Sequence, residues 1–229
     1  PTEIFGDGLR VLANPNLAPE TSHNLNVGMT YRLSGSKWSL KNEINLFQRD
    51  VDNFIFIQQS GVFSEYENVL NVLIKGIEFD IQYTHERFSV SGNLTWQKVI
   101  NNQKYISGTT VESRVYKDQM PNTPYLFANT NVRFNGIKIL PNIHMSIYHA
   151  INYVHGYYLN YPSVSISETK NRIPNQFLNH IGTSFSTPDR TYNLSIELRN
   201  LFNTEALDNF NIQKPGRAFY LKFRYFLKN

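Results

Sequence analysis

Residues 219–227, FYLKFRYFL, place an apolar or aromatic side chain at every second position, with Lys222 and Arg224 between them. Successive side chains of a β-strand point to opposite faces, so one face of this segment would be apolar and the other cationic. The segment therefore predicts a strand with an apolar environment on one side and a polar environment on the other.

The same alternation recurs in eight earlier segments, and none of the nine shows the 3.6-residue period of an amphipathic helix. In residues 192–199, for example, Leu194, Ile196 and Leu198 alternate with polar residues such as Glu197. The nine predicted strands are 24–33, 38–47 with a continuation toward 57, 76–84, 88–96, 125–134, 142–153, 177–186, 192–199 and 219–227. The apolar face changes side at residues 46–47, which predicts a β-bulge in the second strand.

The connections between these strands alternate between short and long. Short turns are predicted at 34–37, 85–87, 135–136 and 187–189, and long connections at 58–73, 101–123, 155–175 and 202–215. Outer-membrane barrels have short periplasmic turns and long extracellular loops. The sequence therefore predicts an all-β fold, an antiparallel transmembrane β-barrel, with the last strand running inward and the C-terminus in the periplasm.

Composition is compatible with a barrel wall but not with helical membrane spans. Only 41% of the 229 residues are apolar, and no apolar run approaches the roughly 20 residues that a spanning helix needs. The 16 Phe and 14 Tyr residues would suit aromatic girdles at two membrane interfaces. The net charge of +4 is scattered without a basic run, which argues against a nucleic-acid partner.

The odd number of strands bears on completeness. Single-chain bacterial outer-membrane barrels have even strand numbers, and an open wall of nine strands would leave two unpaired edges in lipid. We therefore expect the whole chain, residues 1–229, to be a partial barrel whose first strand pairs with a strand outside this sequence.

Three motifs stand in the order found in one family of membrane proteins. Residues 14–28 resemble the "NPxLxPExSxNxxxG" box of TonB-dependent outer-membrane receptors, and residues 200–203, NLFN, resemble their "NLFD/N" box. Pro215-Gly216-Arg217 before an aromatic terminal strand resembles the C-terminal ending of the family, although Lys228 and Asn229 follow where the family usually ends on an aromatic residue. From the residues alone, Pro15 and Pro19 would stiffen a polar crossing into the first strand.

The resemblance implies a barrel of about 22 strands with a plugged lumen, of which this chain supplies roughly the last nine. It implies an outer-membrane receptor that imports a scarce, bulky nutrient such as a siderophore or cobalamin. The implied partners are outer-membrane lipid, the nutrient, the TonB-ExbB-ExbD energy-coupling system acting through an N-terminal part absent here, and a surface lipoprotein.

Aromatic residues in the long loops are the candidate ligand contacts. Tyr157, Tyr158 and Tyr161 lie in one predicted loop, and Tyr105 and Tyr116 lie in another. A tyrosine ring offers apolar area together with a polar hydroxyl, which suits the recognition of a large ligand. An interfacial girdle or packing between loops would account for the same residues. We expect the ligand to bind at the extracellular mouth, where loops 58–73, 101–123, 155–175 and 203–214 would emerge together.

The sequence offers no catalytic constellation, so we expect no enzyme activity, no cofactor and no metal site. Asp50 and Asp52 are adjacent acids for which a solvated rim is the simpler interpretation than calcium binding. His144 and His149 would face opposite sides of one strand, so that a paired haem site there would need a bulge. Haem receptors of the family also tend to carry a His between the first motifs, and residues 5–14 contain none.

Two other functions remain open at this stage. A passive porin or a barrel-anchored surface-binding protein would need no plug and no energy coupling. A soluble β-rich binding domain would show similar alternation, but it would not need the regular exchange of short and long connections.

Overall fold

A computed structural model describes residues 2–227 except 61, 107, 165–171 and 209–210. The elements are α1 (Thr2–Phe5), β1 (Val11–Leu12), β2 (Thr21–Ser34), β3 (Trp38–Ser60), β4 (Phe63–His85), β5 (Phe88–Asn101), β6 (Leu126–Leu140), β7 (Ile143–Val154), β8 (Tyr157–Tyr158), a 3₁₀ turn (Pro162–Val164), β9 (Arg172–Ile173), β10 (Gln176–Ser186), β11 (Tyr192–Arg199) and β12 (Ala218–Tyr225). No helix within the described residues is long and apolar enough to cross a membrane.

Nine strands form one antiparallel wall. Its order is β2, β3, β4, β5, β6, β7, β10, β11 and β12, so each strand of the wall pairs with the wall strands that come before and after it in the sequence. The outer edges of β2 and β12 carry no partner among the described residues, and the wall is open rather than a closed barrel. The predicted antiparallel order and the unpaired outer edges are confirmed.

The two faces of the wall differ as the alternation predicts. In the β11–β12 ladder Ile196 faces Leu221 and Leu194 faces Phe223, whereas Ser195 faces Lys222. Residues that face each other across a ladder point to the same side, and Leu221 is 63% exposed on the outward face. We call this apolar side the outward face and the side that carries Lys222 the inner face.

The two ends of the wall also differ. The connections 35–37, 86–87, 141–142 and 187–191 lie at one end, which we call the short-turn end. The connections 102–125, 155–175 and 200–217 lie at the other, which we call the long-loop end. The short turns contain too few residues to build a binding site. The candidate functional side chains therefore lie at the long-loop end.

The bulge expected at residues 46–47 does not exist. The pairing of β3 with both neighbours runs through Leu46 and Phe47 without a change of register. Phe47 instead points to the inner face, where a Cβ built on Gly76 would lie 2.6 Å from its ring. The break in alternation thus marks an inward aromatic ring lying over a glycine, and not an extra residue.

The loop expected at 58–73 is also wrong, because β3 and β4 continue as a hairpin that pairs Ser60 with Phe63. The hairpin projects beyond the top of β5, where Asn101 pairs with Val72. Residues of the first predicted box cross this projection: Ala18 exchanges two hydrogen bonds with the side chain of Asn68, at 2.8 and 3.0 Å. The hairpin is stabilised by a segment 50 residues away in the sequence, which local pattern does not show.

The turn expected at Asn135–Gly136 lies inside β6 instead. The β6–β7 register shifts between Phe134 and Ile137, and the chain reverses at residues 141–142. Gly136 has φ of +65°, the left-handed conformation that suits a bulge residue. The Asn-Gly pair therefore makes a bulge, because the strands on both sides of it remain paired.

Candidate ligand-binding mouth

The long-loop end closes around a small apolar core on the inner face. Val72 of β4, Val99 of β5 and Met120 of the 102–125 connection are buried against one another, with Met120 only 1% exposed. Partly buried side chains surround these three residues: Phe54, Phe56, Val69, Ile74 and Tyr161. We call this cluster the mouth core, and the connections packed on it the mouth.

The 102–125 connection folds back along the top of β5. The Met120 N–H donates to the Val99 carbonyl at 2.7 Å, and the Lys117 N–H donates to the Asn101 carbonyl at 2.8 Å. The Asn101 N–H donates in turn to the Asp118 carbonyl at 2.9 Å. These bonds lay the connection against the inner wall, and they place Met120 in the mouth core.

Two polar contacts join the 102–125 connection to the 155–175 connection. Both oxygens of the Asp118 carboxylate accept hydrogen bonds from Ser163, one from the N–H at 2.9 Å and one from Oγ at 2.6 Å. The Asn122 N–H donates to the Tyr158 carbonyl at 2.8 Å. The two connections are therefore coupled, and a ligand that displaces one must disturb the other.

Tyr161 is part of this junction. Its hydroxyl accepts a hydrogen bond from Asn101 Nδ2 at 3.2 Å and lies 3.2 Å from Met120 Sδ. Burial raises the pKa of the Tyr161 phenol, and the Asn101 bond partly opposes that rise. The ring of Tyr161 therefore packs between loops.

Tyr157 and Tyr158 form the short strand β8, which pairs with β9. Tyr157 is 7% exposed and faces Ile173, which is fully buried. Tyr158 faces Arg172, whose guanidinium carbon lies 5.6 Å from the centre of the Tyr158 ring. This ribbon fixes one side of the mouth, with Tyr157 on its buried face.

Tyr105 and Tyr116 lie in the 102–125 connection, each beside a lysine in the sequence. Tyr105 is 48% exposed, and its ring lies 5.3 Å from Lys104 Nζ. The Tyr116 ring lies 4.7 Å from Lys117 Nζ. A hydrogen bond with Tyr105 raises the pKa of the exposed Lys104 amine. We call the two cation–aromatic pairs, Lys104 with Tyr105 and Lys117 with Tyr116, the rim of the mouth.

A hollow of about 320 Å³ lies on the inner wall beside the mouth core. Its lining combines charge, amide groups and apolar surface: Asn26, Asn45, Phe47, Arg49, Phe54, Ile74, Glu78, Gln97, Val99 and Thr123. Its floor is fixed by a bond of 3.0 Å from Asn45 Nδ2 to a carboxylate oxygen of Glu78. A polar inner wall of this kind suits a water-soluble cargo or a folded plug more than lipid.

A chain of side-chain hydrogen bonds crosses the inner wall below the mouth. Asn129 donates to Asn93, Asn152 donates to Asn129, and Asn152 Oδ1 lies 2.8 Å from His180 Nε2. The Asn200 N–H donates to His180 Nδ1 at 3.1 Å, so His180 is the neutral tautomer that carries its proton on Nε2. Asn200 begins the predicted NLFN box, and the box anchors the last connection to this chain.

Two further histidines, His149 and His155, have hydrogen-bond partners close by. Pairing places His144 on the inner face and His149 on the outward face, where His149 Nε2 lies 3.0 Å from Asn179 Oδ1. His155 has the hydroxyls of Tyr125 and Tyr153 at 2.7 and 2.8 Å from its two ring nitrogens. The described residues contain no cluster of three or more His, Cys, Asp or Glu that could hold a metal ion.

The comparison with protein families identifies this wall. The family model described as TonB dependent receptor-like, beta-barrel matches residues 1–201. The chain belongs to the TonB-dependent receptor family. Members of this family are transport receptors of the outer membrane and not enzymes.

Individual relatives agree with this assignment. The haem/hemopexin utilization protein C of Haemophilus influenzae (strain 86-028NP) is 30% identical over 111 residues, which is 39% of this chain and 15% of the relative. Among solved structures, the copper transporter OprC superposes with a TM-score of 0.68 at 16% identity, covering 97% of this chain and 34% of its own. A mutant of the ferric enterobactin receptor PfeA from Pseudomonas aeruginosa gives 0.64 at 17% identity, covering 93% and 32%. The chain therefore spans about a third of these solved receptors.

In this receptor wall, the five predicted tyrosines divide into two groups. Tyr157 and Tyr158 belong to the β8–β9 ribbon and Tyr161 packs on the mouth core, whereas Tyr105 and Tyr116 have lysines over their rings. Sequence reasoning missed Lys104 and Lys117, although each directly neighbours a predicted tyrosine. It also missed Arg49 and Glu78 in the hollow, because nothing local distinguishes them from other polar residues that face inward.

Proposed function

We propose that this chain provides nine strands of a plugged barrel of about 22 strands that imports a scarce, bulky nutrient across the outer membrane. The observation that carries the proposal is the asymmetry of the wall: its outward face is apolar, its inner face is polar, and the connections fold over the inner face at one end only. In this arrangement the long-loop end faces the exterior and the C-terminus lies in the periplasm.

The proposed partners follow from this role. Outer-membrane lipid surrounds the outward face, and the TonB-ExbB-ExbD system supplies energy through an N-terminal plug. A surface lipoprotein would deliver the nutrient to the mouth. The proposed ligand-binding residues remain Tyr105, Tyr116, Tyr157, Tyr158 and Tyr161, with the first two making the direct contacts.

The rim favours a compact anionic nutrient, such as a ferric siderophore. Lys104 and Lys117 hold positive charge directly over the rings of Tyr105 and Tyr116, and such pairs can meet both the charge and the flat surfaces of an aromatic chelate. Receptors for ferric enterobactin and ferric preacinetobactin are among the solved structures of similar fold, which supports this choice. Cobalamin stays the alternative nutrient.

Haem is a second candidate, because the 30% identical relative is a haem/hemopexin utilization protein. Against it, His155 already has a tyrosine hydroxyl at each ring nitrogen, and His180 has partners at both of its ring nitrogens. Growth of cells that carry the full-length receptor on haem as the only iron source, compared with growth on a ferric siderophore, separates these two candidates.

The test of the proposed function is uptake of a labelled ferric siderophore by such cells with and without TonB. We expect uptake only when TonB is present. Replacing Tyr105 and Tyr116 together with Ala should weaken binding by at least about fivefold, the effect of losing an ordinary contact hot spot. The Tyr105→Phe/Tyr116→Phe variant keeps both aromatic rings and is the matched control. Uptake that persists without TonB would favour the passive porin or the surface-binding protein.

A further inference from the structure

Two lysines stand directly opposite each other on the outward face of the wall. Lys75 of β4 and Lys98 of β5 are register partners in the antiparallel ladder, and both side chains are exposed. Like charges at directly opposed positions destabilise a sheet. A pair of this kind on the apolar side of a membrane wall therefore needs a compensating anion.

The two lysines lie at the border of the apolar band. Counting from the short-turn end, Tyr83 to Lys75 spans nine residues of β4, and Phe88 to Lys98 spans eleven residues of β5. A tilted strand needs about 9–11 residues to cross the hydrocarbon core. Both ammonium groups therefore reach the headgroup region of the leaflet on the long-loop side.

Aromatic rings mark the same level. Trp96 is the outward residue next to Lys98 on the membrane side, and Lys98 Nζ lies 5.8 Å from the centre of its ring. Tyr153 of β7 continues this level on the outward face, and its hydroxyl lies 2.8 Å from His155 Nδ1. Rings of this type concentrate where hydrocarbon meets headgroups, and a lysine there keeps its stem on apolar surface and its charge in the polar layer.

The anion is not provided by the wall itself. Among the described residues, no carboxylate oxygen lies within 4.0 Å of either ammonium group. The residue facing Lys75 from β3 is the uncharged Gln48. The nearest outward acids along β3 are Asp50 and Asp52, which share the Asn71 side-chain amide at 2.8 and 3.1 Å and stand farther from the apolar band.

We propose that Lys75 and Lys98 together bind a phosphate group of a lipid in the outer leaflet, with Trp96 packing against the acyl chains below it. This inference rests on the proposed membrane placement of the wall. Two ammonium groups held on neighbouring strands offer several donors to one phosphate, and the bound phosphate removes the repulsion between them. The occupant is a lipid and not a soluble anion, because the site opens sideways toward the apolar band.

The test measures binding of diphosphorylated lipid A to the purified full-length receptor in neutral detergent. The Lys75→Gln/Lys98→Gln variant should bind about 30-fold more weakly, which corresponds to about 1 kcal/mol for each basic residue near the lipid surface. The difference should shrink as salt is added. The control Lys37→Gln/Lys222→Gln removes the same charge at the opposite rim and on the inner face, and it should bind like the wild type.

Further measurements test whether the lipid phosphate is the bound group and whether the site faces the membrane. Without lipid, the variant should unfold at the same temperature as the wild type or higher, because a like-charge pair is gone. Equal affinity of variant and wild type would overturn the inference, and so would an equal loss with dephosphorylated lipid A. Saturation of the site by millimolar inorganic phosphate would point to a soluble anion and would overturn the inference as well.

Failure of this inference can be told apart from failure of the proposed function. If the receptor takes up siderophore through TonB but variant and wild type bind lipid equally, only this inference is refuted. If the receptor stays soluble without detergent, the proposed membrane function is refuted first.

Discussion

The wall formed by β10, β11 and β12 and the mouth at the long-loop end follow different rules. In β11 and β12, each apolar outward residue faces another across the ladder, as Leu194 faces Phe223, and apolar or aromatic residues occupy every second position of both strands. In the mouth, Met120 is buried on Val72 and Val99, which precede it by about 50 and 20 residues. The wall is thus specified by the two media on its faces, and the mouth by contacts between distant segments.

The largest loss of stability should follow from removing a buried side chain of the mouth core. Met120→Ala removes a fully buried side chain, which costs about 2–5 kcal/mol when the surroundings cannot collapse. Because Met120 belongs to the mouth alone, we expect the 102–125 connection to release while the wall stays folded. Hydrogen exchange should show faster exchange at the Met120 and Lys117 amides and unchanged exchange in β11. Simultaneous loss of protection in β11 would show that wall and mouth are one cooperative unit.

A charge on the outward face should cause the next largest loss of stability, and this loss should be confined to the wall. Leu221→Arg places a cation on the lipid side, at a cost of about 2–4 kcal/mol near the midplane. Ser184→Arg, on the inner face of β10 where both ladder partners are serines, is the matched control and should be nearly neutral. The denaturant midpoint of the receptor folded into lipid vesicles is the measurement. Equal destabilisation by both variants would mean that the faces are wrongly assigned.

The smallest loss of stability tests whether the inward ring of Phe47 packs over Gly76, where wall and mouth meet. A Cβ at Gly76 would lie 2.4 Å from the Trp96 carbonyl oxygen and 2.6 Å from the Phe47 ring, so Gly76→Ala should cost about 1–3 kcal/mol through overpacking. At Gly28 of β2 the closest atoms are 3.6 Å away, an ordinary contact, and Gly28→Ala should be nearly neutral. Thermal unfolding of both variants decides the matter. If Gly76→Ala is as mild as its control, Phe47 does not pack there.

The confirmed predictions rest on alternation along whole strands, whereas the wrong ones rest on signals from a few neighbouring residues. The strand order and the faces of β11 and β12 followed from period-two alternation. The turn at Asn135–Gly136 was predicted from a local dipeptide, and it became a bulge because β6 and β7 remain paired beyond it. The loop expected at 58–73 is a hairpin, because residues 13–20 cross and support it. Local patterns predict local geometry, and they miss stabilisation by a remote segment.

The sequence by itself determined the wall. Alternation selects which face meets an apolar medium, since a slip of one residue would move every side chain to the other face. The motif order identified the receptor family, and the family comparison agrees. Only the tertiary structure decided the mouth: that Tyr157 and Tyr161 pack inward, that Tyr105 and Tyr116 carry lysines on their rings, and that Lys75 and Lys98 face each other. The reason is physical. Each of these contacts depends on strand register or on packing between connections. Register and packing join residues that are distant in the sequence, so the neighbours of a single residue do not reveal them.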